Sequence, residues 1–177
     1  MKAQLFFISL AMMSSSAFAA SANTVQFKGE VNAQTCTVNI NGNSTAPIVL
    51  LPTVSTGSLS TAKATAGDTK FTVNVTGCNT TDAATISTVL AGNNITTNSN
   101  LGNVGGTATN VSIQILDSDG STALTFVNGS TVKTTSFSKD AASATASQDL
   151  TARYYAETAG VTPGTVIASA QYSISYN

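Results

Sequence analysis

The last ten residues of this 177-residue chain read Ala168-Ser169-Ala170-Gln171-Tyr172-Ser173-Ile174-Ser175-Tyr176-Asn177. Every even position in this segment is apolar or aromatic, and every odd position before Asn177 is Ser or Gln. Because successive side chains of a β-strand point to opposite faces of a sheet, the alternation predicts a half-buried strand.

A second alternating segment lies near the start of the chain, where Val25, Phe27, Gly29 and Val31 alternate with polar residues. Between the two ends, most segments repeat every two residues rather than with a helical period. Strands or short apolar runs are predicted at 25–31, 35–40, 48–51, 70–78, 84–90, 110–116, 124–127, 148–156 and 165–176. A loop is predicted at 93–109, and turns are predicted at Asn41-Gly42 and Asn128-Gly129.

Short strands at this spacing favour an all-β sandwich as the fold class. The alternative is an eight-stranded outer-membrane barrel, which requires longer strands and girdles of aromatic side chains on its lipid-facing surface. Aromatic residues make up only 6% of the chain and are scattered along it, which favours the sandwich.

The first 19 residues predict a secretory signal peptide. Lys2 precedes an apolar run over residues 3–13, and Ala17-Phe18-Ala19 forms a small-x-small cleavage site. The alternative is a transmembrane anchor, which requires about 20 apolar residues, more than this run provides. The remaining segment, 20–177, has the length of one domain.

The charge composition argues against several classes of function. Without Lys2, the chain has six basic and eight acidic residues, so its net charge is about −2, with no basic patch for a nucleic-acid partner.

The chain has no histidine, which excludes Ser-His-Asp and Cys-His catalysis. Asp117 and Asp119 suit a turn, because a calcium loop needs further acids and a closing Glu. No catalytic, metal or cofactor site is predicted, although two carboxylates distant in sequence could still meet in space.

The chain contains two cysteines, Cys36 and Cys78. In an exported chain an even pair predicts a disulfide, and the alternative is two free buried thiols. Closing a loop of this length would stabilise the fold by roughly 4 kcal/mol in the chain-entropy model.

Several short motifs follow one another in order after residue 19. They are 24–31 followed by Cys36, Leu51-Pro52-Thr53-Val54, 71–77 leading into Cys78, Ala152-Arg153-Tyr154-Tyr155-Ala156, and Val161-Thr162-Pro163-Gly164. Gly164 is also the fourteenth residue from the C-terminus, and Tyr176 is the penultimate residue. Together these motifs resemble the chaperone–usher pilins, in particular structural subunits of the type 1 and F17-like group, whose members carry a glycine and a tyrosine at these two positions.

The resemblance implies an incomplete immunoglobulin-like sandwich that lacks its seventh strand. In such a fold, a groove beside the last strand is filled first by a periplasmic chaperone and then by the N-terminal extension of the next subunit. The implied divisions are a signal peptide at 1–19, a donor segment at 20–33 and a pilin domain at 34–177. The implied donor residues are Val25, Phe27, Gly29 and Val31, and the implied groove and chaperone-binding residues are Gly164, Ala168, Ala170, Tyr172, Ile174 and Tyr176.

The function that the resemblance implies is a structural subunit of an adhesive fimbria, exported through the periplasm to the cell surface. Its implied partners are other copies of itself, a periplasmic chaperone, an outer-membrane usher and minor or tip pilins. The alternatives are a minor adaptor pilin and a secreted carbohydrate-binding sandwich. The absence of Trp and the position of all four tyrosines in predicted strands argue against the carbohydrate-binding alternative, and an enzyme has the least support.

Overall fold

A computed structural model describes residues 36–177 of the chain. The predicted signal peptide at 1–19, the predicted donor segment at 20–33 and residues 34 and 35 lie outside the described residues. Within 36–177 the chain forms nine β-strands and one 3-10 helix, Thr56–Leu59. The strands are β1 (Thr37–Ile40), β2 (Thr65–Thr76), β3 (Ala84–Gly92), β4 (Leu101–Gly102), β5 (Val111–Leu116), β6 (Val132–Lys133), β7 (Phe137–Lys139), β8 (Ala146–Ala156) and β9 (Ala170–Tyr176).

The strands form two antiparallel sheets. The first sheet has the order β1-β2-β8-β5-β4, so β8 lies at its centre. In the second sheet, β3 lies between β9 on one edge and the short strands β6 and β7 on the other. The register shows that β6 and β9 lie on opposite sides of β3, because Leu90 of β3 pairs with Val132 of β6 and also with Tyr172 of β9. β9 is therefore an edge strand.

The core lies between the two sheets and follows the period-two patterns of the sequence. On β2, Phe71, Val73 and Val75 are buried while the residues between them are partly exposed. On β5 all six residues are buried, because this strand is covered on both faces. Each fully buried large apolar side chain stabilises the fold by roughly 1.5–3 kcal/mol. The all-β sandwich predicted from the sequence is confirmed.

The predicted strand at 124–127 is wrong. Leu124 donates its main-chain N–H to Ile115 and Phe126 donates to Ser99, so the segment bonds to two separate partners and forms no ladder. The buried side chains of Leu124 and Phe126 nevertheless belong to the core, which explains the apolar pattern in the sequence.

Three further differences from the predictions concern β2, the loop at 93–109 and the last strand. β2 begins at Thr65 rather than 70, because β8 pairs with it back to Tyr155 across an irregularity between Ala66 and Thr69. The predicted loop at 93–109 contains the two-residue strand β4. The predicted strand at 165–176 is regular only over β9, since residues 165–169 lie alongside a loop instead of β3. None of the helical structure in residues 36–177 is long and apolar enough to cross a membrane.

Candidate functional site

The segment before and within β9 has one edge that is hydrogen-bonded and one that is open. The main-chain oxygens of Thr165, Ile167 and Ser169 accept hydrogen bonds of 2.9–3.2 Å from residues between 93 and 108. Because neighbouring residues of an extended chain point their main-chain groups to opposite edges, those of Val166 and Ala168 point away from these partners. Among residues 36–177, neither of these two residues has a main-chain hydrogen bond.

The opposite side of this open edge is formed by residues 47–54, here called the wall segment. Its side chains alternate as in a strand, with Val49 and Leu51 packed against the core. Ile48 and Leu50 point outward and are 82% and 85% exposed. Within the described residues no main-chain hydrogen bond reaches positions 48–54. The wall segment and the open edge therefore face each other without a strand between them.

An apolar cleft of about 650 Å³ lies between the wall segment and the open edge. Its floor consists of core side chains contributed by both sheets, including Phe71 and Ile113 from the first sheet and Leu90 from the second. Ala168, Ala170 and Tyr172 line it from the C-terminal side, as do Val166 and Ile167. The core of the sandwich is thus open to this cleft along one side.

A second cleft, of about 360 Å³, continues along the same C-terminal stretch toward Gly164. It shares Tyr154, Val166 and Ile167 with the first cleft. The two clefts form one groove, which runs beside residues 161–172. We refer to them together as the groove.

The loop at 103–109 packs against the hydrogen-bonded edge of residues 164–167. Asn103 accepts a hydrogen bond from the Ile167 N–H through Oδ1 (2.9 Å) and donates through Nδ2 to Ala108 O (2.8 Å). Two glycines permit this close contact. A Cβ on Gly164 would lie 2.5 Å from the Ala108 nitrogen, and one on Gly106 would overlap the Thr165 carbonyl oxygen. The unpaired edge of this C-terminal stretch is therefore the one that faces the wall segment.

Cys36 and Cys78 form a disulfide with an S–S distance of 2.02 Å. The bond lies in a separate apolar cluster near the end of β9. Ile174 and Tyr176 pack in this cluster, and the Tyr176 hydroxyl accepts a hydrogen bond of 3.3 Å from the Cys36 N–H.

Of the six predicted groove residues, four therefore line the groove, namely Gly164, Ala168, Ala170 and Tyr172. Ile174 and Tyr176 line neither cleft. The predicted donor residues Val25, Phe27, Gly29 and Val31 lie outside the described residues. The sequence reasoning missed Val166, Ile167 and the wall segment as lining residues. The sequence signal that could have identified the wall was the apolar run at 48–51, which Pro52 ends.

The chemistry of the groove is that of an apolar binding surface. All of its lining side chains are apolar or uncharged. Within the described part of the chain, no group of three or more His, Cys, Asp or Glu residues could hold a metal ion. An open strand edge above an apolar cleft can accept an extended peptide, which gains main-chain hydrogen bonds from the edge and burial of alternate side chains.

Known proteins match almost the whole chain. The sequence pattern of the family described as fimbrial protein matches residues 25–177. The major fimbrial subunit SMF-1 of Stenotrophomonas maltophilia (strain K279a) is 35% identical over 172 residues, covering 94% of this chain and 100% of SMF-1.

Two solved structures are similar at low sequence identity. The P pilus rod subunit PapA has a TM-score of 0.58 at 16% identity, and the match covers 80% of this chain and 99% of PapA. A subunit in the structure of a chaperone–usher pilus has a TM-score of 0.58 at 17% identity, and covers 92% of this chain and 100% of its own length. At these identities the likeness shows a common fold.

Proposed function

The chain belongs to the fimbrial protein family as a structural subunit of a fimbria, and we propose that it joins its neighbours by donor-strand exchange. The family is one of structural proteins rather than enzymes, its members assemble with other pilins into filaments, and the fimbrium is extracellular. The resemblance to pilins found in the sequence is thus confirmed.

The observation that carries the proposal is the open edge at Val166 and Ala168 above an apolar cleft of about 650 Å³. An unpaired strand edge exposes main-chain groups that another chain can satisfy. A strand inserted there would pair with these groups and cover the floor of the cleft. The groove therefore has the properties that β-strand addition requires.

The proposed occupant is the segment at 20–33 of the next subunit. Val25, Phe27 and Val31 share one face of a strand, and each would stabilise the joint by roughly 1.5–3 kcal/mol if fully buried. Gly29 lies on the same face and allows the inserted main chain to approach the core closely. Because one subunit donates and the next accepts, the contact is head-to-tail and propagates a filament.

The same groove suits a temporary occupant during export. We propose that residues 1–19 direct secretion and are removed, that a periplasmic chaperone fills the groove of the 34–177 domain, and that exchange occurs at an outer-membrane usher. The match to a chaperone–usher pilus subunit supports this route. The 35% identity to a major subunit supports a role in the shaft over the minor-adaptor alternative, with minor or tip pilins as further partners.

The donor assignment predicts that Phe27→Asp abolishes fibres, because a carboxylate would have to enter an apolar cleft without a partner. Gln26→Asp is the matched control, since position 26 points to the opposite face of the donor strand and should leave fibre yield unchanged. Fibre yield is measured as the amount of subunit in fibres sheared from the cell surface, and the periplasmic level of each variant is measured in parallel. Normal fibres from Phe27→Asp, or equal loss from both variants, would contradict the assignment.

A further inference from the structure

Two Asn-Gly dipeptides occur in the chain, at Asn41-Gly42 and Asn128-Gly129. In an Asn-Gly pair the glycine nitrogen can attack the asparagine side-chain carbonyl carbon with little obstruction, because glycine has no side chain. The attack requires that the nitrogen and the side-chain amide are both free to move toward each other. The two dipeptides differ in whether hydrogen bonds hold these two groups in place.

The dipeptide at Asn41 is held by hydrogen bonds on both reacting groups. The Gly42 N–H donates to Asn39 Oδ1 (2.9 Å), which occupies the attacking nitrogen. Asn41 Oδ1 accepts a hydrogen bond from the Thr72 N–H (2.8 Å), and the Asn41 N–H donates to the Thr72 oxygen (2.9 Å). Attack at Asn41 therefore requires that these contacts with β1 and β2 break first.

The dipeptide at Asn128 lies in an exposed turn that is closed by a 3.1 Å hydrogen bond from the Ser130 N–H to the Val127 oxygen. Gly129 has φ +72°, and a Cβ placed on it would meet nothing within 4 Å. Among residues 36–177, no hydrogen bond engages the Asn128 side chain or the Gly129 nitrogen. We propose that Asn128 is a site of spontaneous deamidation in the folded subunit and that the fold protects Asn41.

The reaction needs only water. The Gly129 nitrogen bonds to Cγ of Asn128 and loses its proton, the Cγ–Nδ2 bond breaks, and ammonia leaves with that proton. Water then opens the resulting five-membered ring at either carbonyl, which gives aspartate or isoaspartate. Either product adds one negative charge to the outer surface, and isoaspartate also lengthens the main chain by one methylene group.

The expected difference in rate follows from the hydrogen bonds that must break. Each should slow the reaction by about fivefold to tenfold, which corresponds to the usual net strength of a protein hydrogen bond. Because two such bonds hold the reacting groups at Asn41, the Asn128 reaction should be about 25-fold to 100-fold faster in the folded protein.

The test uses purified fibres incubated at mildly alkaline pH, with deamidation at each site followed by peptide mapping and mass spectrometry. The same chain, reduced and unfolded in guanidinium, is the reference in which the two dipeptides should convert at similar rates. In the folded protein, conversion should be concentrated at Asn128. Equal rates at the two sites in the folded protein, or an unchanged Asn128 while the unfolded chain converts, would overturn the proposal.

Two substitutions make the assignment specific. Asn128→Gln should remove the new acidic species seen on isoelectric focusing, because closing the larger glutamine ring is much slower. Asn41→Gln should leave that species unchanged. Persistence of the acidic species in Asn128→Gln would overturn the proposal, and neither result depends on how the groove is filled.

Discussion

Gly106 and Gly164 show how single residues shape the groove. Each lies where a side chain would overlap the main chain of the facing segment, so the loop at 103–109 can seal one side of the C-terminal stretch. Gly164 was identified through the resemblance to pilins, by its position relative to the C-terminus. The reason for glycine there depends on Ala108, which is more than 50 residues away along the chain, so no local pattern could have shown it.

Gly164→Ala should lower the free energy of unfolding by about 1–3 kcal/mol, the usual cost of forcing extra volume into a packed region. Gly105→Ala is the matched control from the same loop, because its Cβ would meet Ile167 Cδ1 at an ordinary 3.6 Å. The control should change stability by no more than about 0.5 kcal/mol. Urea unfolding of both variants is the measurement, and equal losses would contradict the role assigned to Gly164.

At the scale of elements, the long strands could be predicted and the short ones could not. β2 carries a clear alternation because one face meets the core and the other meets solvent, whereas β6 and β7 have only two and three residues. The apolar pattern at 124–127 results from the burial of Leu124 and Phe126 and not from strand pairing. The wall segment alternates like a strand but has no partner strand among the described residues. Sequence periodicity detects which side chains are buried, and it does not detect what the main chain bonds to.

Glu157, directly after β8, connects the loop at 96–100 to the first sheet through hydrogen bonds. It accepts hydrogen bonds from Thr96 Oγ1 (2.8 Å), Asn98 Nδ2 (2.6 Å) and Asn100 Nδ2 (3.2 Å), and also from the Ser112 hydroxyl of β5. Partial burial raises the pKa of Glu157, but these donors outweigh burial and hold the pKa below its ordinary value. The connection is therefore strongest when Glu157 is ionised.

This connection predicts how acid affects stability. Because the pKa of Glu157 is lower in the folded than in the unfolded chain, its contribution is complete above the unfolded value and is lost as pH falls through the folded value. Glu157→Gln should therefore lose less stability than the wild type on acidification. The difference should be at most about 2–4 °C in melting temperature, because the site is partly exposed and screened by solvent.

Thermal unfolding at a series of pH values from about pH 6 to about pH 3 measures this difference. Asp82→Asn is the control, because it removes one exposed negative charge without touching the loop at 96–100. An identical dependence on pH in Glu157→Gln and the wild type would contradict the role of the carboxylate.

At the scale of the whole molecule, the described domain is a sandwich with one side of its core open. β9 pairs with β3 along one edge, and the first part of the strand, at Ala170 and Tyr172, also lines the groove. Its sandwich class and the alternation of β9 could be predicted from the sequence. The groove itself became an expectation only through the resemblance to pilins, because a missing strand leaves no mark on the periodicity of the strands that are present.

The central claim is that the groove is completed by a segment with the sequence of residues 20–33. The most direct test is thermal unfolding of a chain that begins at Gln34, refolded with its disulfide, with and without a synthetic peptide of residues 20–33. The account predicts a large rise in melting temperature with this peptide and little or none with the same peptide carrying Phe27→Asp. A chain that is already stable alone and is unaffected by the peptide would contradict the account, because its sandwich would need no donor strand.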